Sequence, residues 1–404
     1  MEITDIKIIP VNRFLFVEVH TDEGIVGLGE SGCWGFLDAS AEVVKTFKTY
    51  LIGQDPLKIE HHWQYMYRCF HFRGAAIMGA LSAIDIALWD IAGKFLNVPT
   101  YQLLGGKCRD KARVYCHIFG QTAEDVINNL KEAKERGFTA VGYFTPFLDE
   151  DRSMPYFETY AQKIGNAIDR VRRYREAVGD EVDLCIEIHR RLKPVEAIAL
   201  ARGIEKYHPF FIEDPTTPDN FDSMALIAQH IDIPIATGER LHTPQEFAQL
   251  LNKNAVHYVR PDVCMCGGIT GAKKIAAIAE AHDAMVVPHN PLSPVSTAAC
   301  IQIAASIPNF ALQEYPGDEL QEYPGDDRTF ATERYITGKT DDKDKAFCLA
   351  DLVKQTLKCE NGYIIIPETP GVGVELAENV SERFPYSRRK IETRLHIDGS
   401  VVDQ

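Results

Sequence analysis

The chain has 404 residues, 45% of them hydrophobic and 25% charged, which is ordinary composition for a globular protein with a sizeable core. Its 58 acidic and 43 basic residues leave a net charge of −15, which argues against a global nucleic-acid footprint and against a basic membrane-binding face. An anionic small-molecule substrate stays open, because a bound divalent cation reverses the local field.

The first residues, Met1-Glu2-Ile3-Thr4-Asp5, show no basic region followed by an apolar stretch, and no apolar run is long enough to cross a membrane. The ten cysteines are scattered, and the closest pair, Cys264 and Cys266, is a C-x-C. Reduced thiols in a cytoplasmic protein are the simplest account.

In chain order, Asp5 to Ile8 alternates polar and apolar, and Phe14 to Val19 runs into Asp22-Glu23-Gly24 and then Ile25 to Glu30. That is a hairpin pattern. Ala80 to Phe95 carries Leu81, Ile84, Leu88 and Ile91 on one stripe and reads as a helix. Strands followed by helices predict an α+β domain over residues 1–113.

From about Val114 short apolar runs alternate with amphipathic helices. Thr243-Pro244-Gln245-Glu246 is a capping box with proline in the first turn, and Arg136-Gly137 closes another helix. Polar residues close the runs. Glu187, Glu213, Glu239, Asp262, His289 and Glu314 lie 26, 26, 23, 27 and 25 residues apart. One βα unit has that length, so each is expected at the C-terminal end of a successive parallel strand. Repetition of the unit predicts a TIM-type (β/α)8 barrel over residues 114–374, with its active site at that face. Six in consecutive units is a poor fit to chance.

Two segments break the rhythm. The stretch from Gly142 to Leu184 is too long for one unit, and its excess near Thr145 to Tyr160 holds Asp149 to Arg152, Tyr156, Phe157 and Tyr160. A lid and a tolerated surface insertion are equally good readings. Leu312 to Glu319 is echoed by Leu320 to Asp327. Only the first copy ends an apolar run, so Glu314 is taken as the site residue and Glu322 as a loop residue.

Three carboxylates with no soft ligand suit Mg²⁺, with Mn²⁺ as a substitute. Such an ion can bind a substrate carboxylate and stabilise the enediolate left when the α-proton departs. His289 is then a natural base, with Asp262 fixing its tautomer. His189 lies two residues after Glu187, on the same strand face, and could protonate a leaving hydroxyl. A histidine on its own is usually structural, and His61, His62, His71, His257 and His282 are read so.

These residues resemble the enolase superfamily, specifically the mandelate racemase-like acid-sugar dehydratases of galactonate, gluconate and mannonate type. The resemblance spans nearly the whole chain. It rests on Ala83 to Lys94 with Pro99 to Gly106, Ile212-Glu213-Asp214-Pro215, Thr237-Gly238-Glu239-Arg240, Arg260-Pro261-Asp262 with Gly267 to Thr270, Pro288-His289, and Leu312-Gln313-Glu314. It implies a capping domain completed by the tail, residues 375–404, beyond the barrel exit at Thr369 to Leu376. It also implies a homo-oligomer, and cap loops at Gly32 to Leu37 and Cys69 to Ala75 that close over substrate. Trp34, Phe36, His71, Arg73, Arg190 and Asn290 are the specificity or substrate-binding candidates.

Two departures matter. The family's first metal position usually carries Asp, and here it is Glu187. The second strand often carries a Lys pair, and Ala140-Val141-Gly142-Tyr143-Phe144 has none. The expectation is dehydration of a C5–C6 aldonate to a 2-keto-3-deoxy acid, with Glu314 hydrogen-bonding the substrate carboxylate. The alternatives are epimerisation or cycloisomerisation with a second base such as Tyr143, and a catalytically weak metabolite-binding or regulatory protein.

Overall fold

The computed structural model describes residues 1–120, 122–147, 155, 157–317, 348–388 and 394–402. Half of the expected Thr145–Tyr160 insertion, including Asp149 to Arg152 and Tyr156, and all of the second sequence copy, with Glu322, lie outside the described residues.

The N-terminal part is a three-stranded antiparallel sheet of β1 (Ile3–Val11), β2 (Phe14–Thr21) and β3 (Val26–Ser31). Helices α1 (Leu37–Leu51), α2 (Ile59–Arg68) and α3 (Ala75–Leu96) cover it. Helix α3 is long and apolar enough to cross a membrane by length and composition, but 78% of its most apolar window is buried inside the protein. It is the core helix of this part. Its backbone lies so close to β3 that a Cβ at Gly29 would stand 1.9 Å from the Ala83 carbonyl oxygen, so only glycine fits there.

Past the short helix α4 (Thr100–Leu103), eight barrel strands follow among the described residues. They are β4 (Lys111–His117), β5 (Ala140–Phe144), β6 (Asp183–Glu187), β7 (Phe211–Glu213), β8 (Ile235–Thr237), β9 (Tyr258–Val259), β10 (Met285–Val286) and β11 (Gln313–Tyr315). Neighbours from β4 to β10 pair in parallel, and β11 pairs in parallel with β4. A bridge between Val286 and Phe310 closes the circle. Helices α5 (Ala123–Glu135), α6 (Tyr160–Val178), α7 (Pro194–Ile204), α8 (Phe221–Ala228), α9 (Pro244–Leu251), α10 (Gly268–Glu280) and α11 (Pro294–Ser306) alternate with the strands. The expected cap of α9 is present, with Thr243 Oγ1 accepting from the Glu246 amide, and α5 ends at Arg136 and Gly137. Tyr115, Ala140, Cys185, Phe211, Ala236, Val287 and Leu312 fill the barrel interior as one cluster. The architecture is therefore a capped (β/α)8 barrel.

Strand ends differ in detail from the spacing argument. Glu187 and Glu213 close their strands, but Glu239, Asp262 and His289 lie two or three residues past β8, β9 and β10, and Glu314 lies within β11. Gly238, at φ 140°, ends the regular pairing of β8 one residue before Glu239. A bridge between Asp262 and His289 continues the β9–β10 pairing outward.

The cap grips the loop that follows β9. The Thr270 amide and hydroxyl both donate to Asp85, at 2.9 and 2.6 Å. Trp63 Nε1 donates to the Gly267 carbonyl at 2.8 Å, and Trp89 Nε1 to Thr270 Oγ1 at 2.8 Å. At the far end of the chain, β12 (Cys359–Glu360) and β13 (Tyr363–Ile365) form a hairpin that pairs antiparallel with the start of β4. The segment beyond returns to the first hairpin, where the Ser387 amide donates to the Asn12 carbonyl at 2.7 Å.

Glu30, on β3, joins cap to barrel from a fully buried position. Its Oε2 accepts from Ser293 Oγ at 2.5 Å and from the Ser296 amide at 3.1 Å. Burial pushes its carboxyl up to about 8. Between roughly pH 4.5 and 8 the folded chain therefore keeps a proton that the unfolded chain releases, and stability falls as pH rises through that window. Glu30→Gln removes this group. Its melting temperature relative to wild type should improve steadily from pH 5 to pH 8, by roughly 1 kcal/mol of stability per pH unit. A difference that stays constant with pH would refute the assignment.

Candidate active site

Glu187, Glu213 and Glu239 stand on three neighbouring barrel units and converge, with one oxygen from each within 4.8 Å of the others. Opposite ligands of a Mg²⁺ ion with bonds of about 2.1 Å are about 4.2 Å apart, so a small movement would let all three share one cation. Glu213 Oε1 is buried without a hydrogen bond of good geometry. A hard-oxygen donor set of this kind fits a divalent ion. Glu187 reaches the centre with its longer side chain, and its Oε1 accepts from the His189 amide at 2.7 Å.

His289 faces this cluster. Its Nδ1 lies 2.9 Å from Asp262 Oδ2, and its Nε2 lies 3.3 Å from Glu239 Oε2. Asp262 is fixed in turn by the Cys264 amide, 2.8 Å from Oδ1. In the neutral ring this geometry puts the proton on Nδ1 and leaves the Nε2 lone pair toward the carboxylates. Burial disfavours the imidazolium, but Glu314, Glu239 and Asp262 outweigh it and raise His289 to about 9.

His189 and Arg190 share the mouth. Both have left-handed backbones, at φ 56° and 66°. Arg190 Nη1 lies 2.6 Å from Glu239 Oε1 and 3.2 Å from Asp214 Oδ2, and Nη2 lies 2.8 Å from His189 Nε2.

Like charges set the remaining electrostatics. Burial drives Glu187 well above the ordinary carboxylate range, with repulsion from Glu239 and Asp214 adding to it. Burial raises Glu213 as well, against the pull of Arg260, and lifts Asp214 to about 6. Burial acts on Glu239 in the same sense, but the cationic His289 and Arg190 overcome it and hold Glu239 at about 2.

Glu314 does not face open space. It is 1% exposed. His117 Nε2 lies 2.8 Å from Oε1, while Oε2 accepts from the Asn290 amide at 2.8 Å and pairs with Arg260. Arg260, His289 and His117 hold it ionised despite burial. Both oxygens thus have protein partners. Asn290 is also buried, its Nδ2 donating to Thr297 Oγ1 at 2.8 Å. Of the cap candidates, Arg73 is exposed and lies over the Tyr67 ring, 4.4 Å from its centroid, and Trp34 is 46% exposed. The first cap loop starts against the base pair, since the Gly32 amide donates to the Cys264 carbonyl at 2.9 Å.

Arg260, Asp214 and His117 were not singled out from the sequence. Arg260 is 1% exposed and pairs with both Glu213 and Glu314. His117 closes β4, so the rule that found the other strand-end residues would have found it on the first strand. Tyr143 stacks on it with ring centroids 4.1 Å apart. A Cβ at Gly142 would lie 2.6 Å from Tyr115 Cδ2, so the aromatic fill of the barrel takes the space a longer side chain on β5 would need.

A capped (β/α)8 barrel with three converging carboxylates and a His–Asp pair defines a class of metal-assisted enzymes acting beside a carbonyl or carboxylate. The chain belongs to the mandelate racemase and muconate lactonizing enzyme family of the enolase superfamily. Residues 5–105 match the mandelate racemase / muconate lactonizing enzyme N-terminal domain, and residues 125–380 match the enolase C-terminal domain-like family. It is 36% identical over 396 residues to the D-galactonate dehydratase of Ralstonia pickettii (strain 12J), covering 97% of this chain and 96% of that protein. The D-galactonate dehydratase of Xanthomonas oryzae pv. oryzae (strain PXO99A) is 35% identical over 397 residues, with 97% and 96% covered. The crystal structure of an enolase from Agrobacterium radiobacter, bound to Na and L-malate, superposes with a TM-score of 0.88 at 28% identity over 100% of both chains. A member of the enolase superfamily from Salmonella Typhimurium gives a TM-score of 0.81 at 30% identity over 95% of this chain and 98% of its own.

Replacing Arg260 by methionine leaves Glu213 and Glu314 buried without their shared cation. Arg260→Met should lower the unfolding free energy in urea by about 3–5 kcal/mol. A loss under about 1 kcal/mol would show that the two carboxylates do not depend on Arg260.

Proposed function

We propose that the protein is a sugar-acid dehydratase, a carbon–oxygen hydro-lyase. Its substrate is a C5–C6 aldonate such as galactonate, gluconate or mannonate, and its product a 2-keto-3-deoxy acid. The observation that carries the reading is His289, oriented by Asp262 at 2.9 Å, with Nε2 turned to the three-carboxylate cluster. The likeness to D-galactonate dehydratases over 97% of the chain supports the substrate class.

Glu187, Glu213 and Glu239 would hold Mg²⁺, or Mn²⁺ in its place. The bound cation supplies Lewis-acid stabilisation of the charge that develops on the substrate carboxylate. In its neutral form His289 removes the C2 proton at Nε2, and Asp262 stabilises the resulting imidazolium. His189, beside the same cluster, donates a proton to the departing C3 hydroxyl. The C3–O bond breaks, water leaves, and the enol becomes the 2-keto acid. Glu314 acts as a positioning residue, because its oxygens fix Arg260, His117 and the Asn290 amide. Strand β5 offers no lysine as an opposite base, which favours elimination over racemisation. Cys264 and Cys266 are free thiols, in keeping with a cytoplasmic location. The exposed Phe36, Phe70 and Phe72 of the cap loops fit a homo-oligomer.

His289→Asn should lower turnover by about 10³-fold or more and abolish deuterium exchange at C2 in D₂O. Unchanged turnover would sink the mechanism. His189→Asn should block 2-keto-3-deoxy acid formation while C2 exchange persists, whereas loss of both would remove the separate role of His189. Chelation should abolish product formation, and Mg²⁺ should restore it. An undehydrated epimer as the product would favour epimerisation instead.

A further inference from the structure

We infer that Arg190 is an internal competitor for the cation site, so that metal affinity in this chain is set by how readily its guanidinium gives up Glu239. The inference rests on the assignment of Glu187, Glu213 and Glu239 as the cation's ligands. Both oxygens of Glu239 face cationic or cation-forming groups. Arg190 Nη1 is 2.6 Å from Oε1, and His289 Nε2 is 3.3 Å from Oε2. A cation entering beside Glu239 must share or displace the guanidinium.

The placement of Arg190 is built into the backbone. His189 and Arg190 occupy consecutive left-handed conformations, which cost non-glycine residues free energy and persist only where surrounding structure imposes them. Here the Arg190 amide donates to the Asp214 carbonyl at 2.8 Å and the Ile188 amide to the Glu213 carbonyl at 3.0 Å. The turn sends Arg190 inward, where it is 9% exposed, while Arg191 Nη1 reaches the Phe147 carbonyl at 3.4 Å. The guanidinium then meets Asp214 and His189 as well as Glu239. It offsets like-charge repulsion among the carboxylates when no metal is bound. It also opposes a divalent ion once one arrives, since two cations near one carboxylate repel in a medium of low dielectric constant.

The test is calorimetric titration of Mn²⁺ into the metal-stripped full-length protein, its Arg190→Met and Arg190→Lys variants, and a melting curve of each with and without Mn²⁺. Arg190→Met should bind Mn²⁺ about tenfold tighter than wild type, and Arg190→Lys should stay close to wild type. Without metal, Arg190→Met should melt lower than wild type, and saturating Mn²⁺ should raise its melting temperature by more. If Arg190→Met does not fold without metal, Arg190→Gln replaces it with the same expectation. Equal or weaker Mn²⁺ binding by the charge-removed variant overturns the competition while leaving the ligand assignment intact. No Mn²⁺ binding by any form, wild type included, overturns the ligand assignment itself.

Discussion

Like charge crowded into a low-dielectric barrel mouth is the constraint around which this protein is organised. Glu187, Glu213, Asp214, Glu239 and Glu314 could not all ionise there unaided. Arg260 links Glu213 to Glu314, Arg190 links Asp214 to Glu239, and His289 stands between Glu239 and Asp262. The cations divide the carboxylates into two sets. Glu239 and Glu314 are held ionised, while burial and mutual repulsion keep Glu187 and Glu213 eager for a further positive charge. A divalent cation is the natural complement of that imbalance.

The cap serves this arrangement from outside. The loop after β9 carries Asp262, and α2 and α3 hold its end through Trp63, Trp89 and Asp85. Gly32 of the first cap loop touches the same loop at Cys264. The His289–Asp262 pair is thus braced partly by the N-terminal domain.

Much of the barrel is legible in the sequence. The spacing from Glu187 to Glu314 reflects how much chain a strand, a helix and two turns consume, and that is a local property. Capping at Thr243 and the Asp22-Glu23-Gly24 hairpin are local for the same reason. The partners of Glu314 were not legible. Its bond to His117 crosses the closure of the barrel, where β11 pairs with β4 from nearly the other end of the domain, and its pair with Arg260 reaches back to the end of β9. Nor did alternation along a strand anticipate Arg190. The chain leaves strand geometry after Glu187, and two left-handed residues re-aim the side chains.

By itself the sequence determined the order of strands and helices and which acidic residues lie near one barrel face, because periodicity and chain length act locally. It also determined that β5 carries no lysine. Only the tertiary structure decided which carboxylate each buried cation neutralises, that Glu314 is buried among His117, Arg260 and the Asn290 amide, and that Arg190 points into the mouth. Those outcomes depend on distances between units far apart in the chain, and on the low dielectric that only the assembled barrel creates.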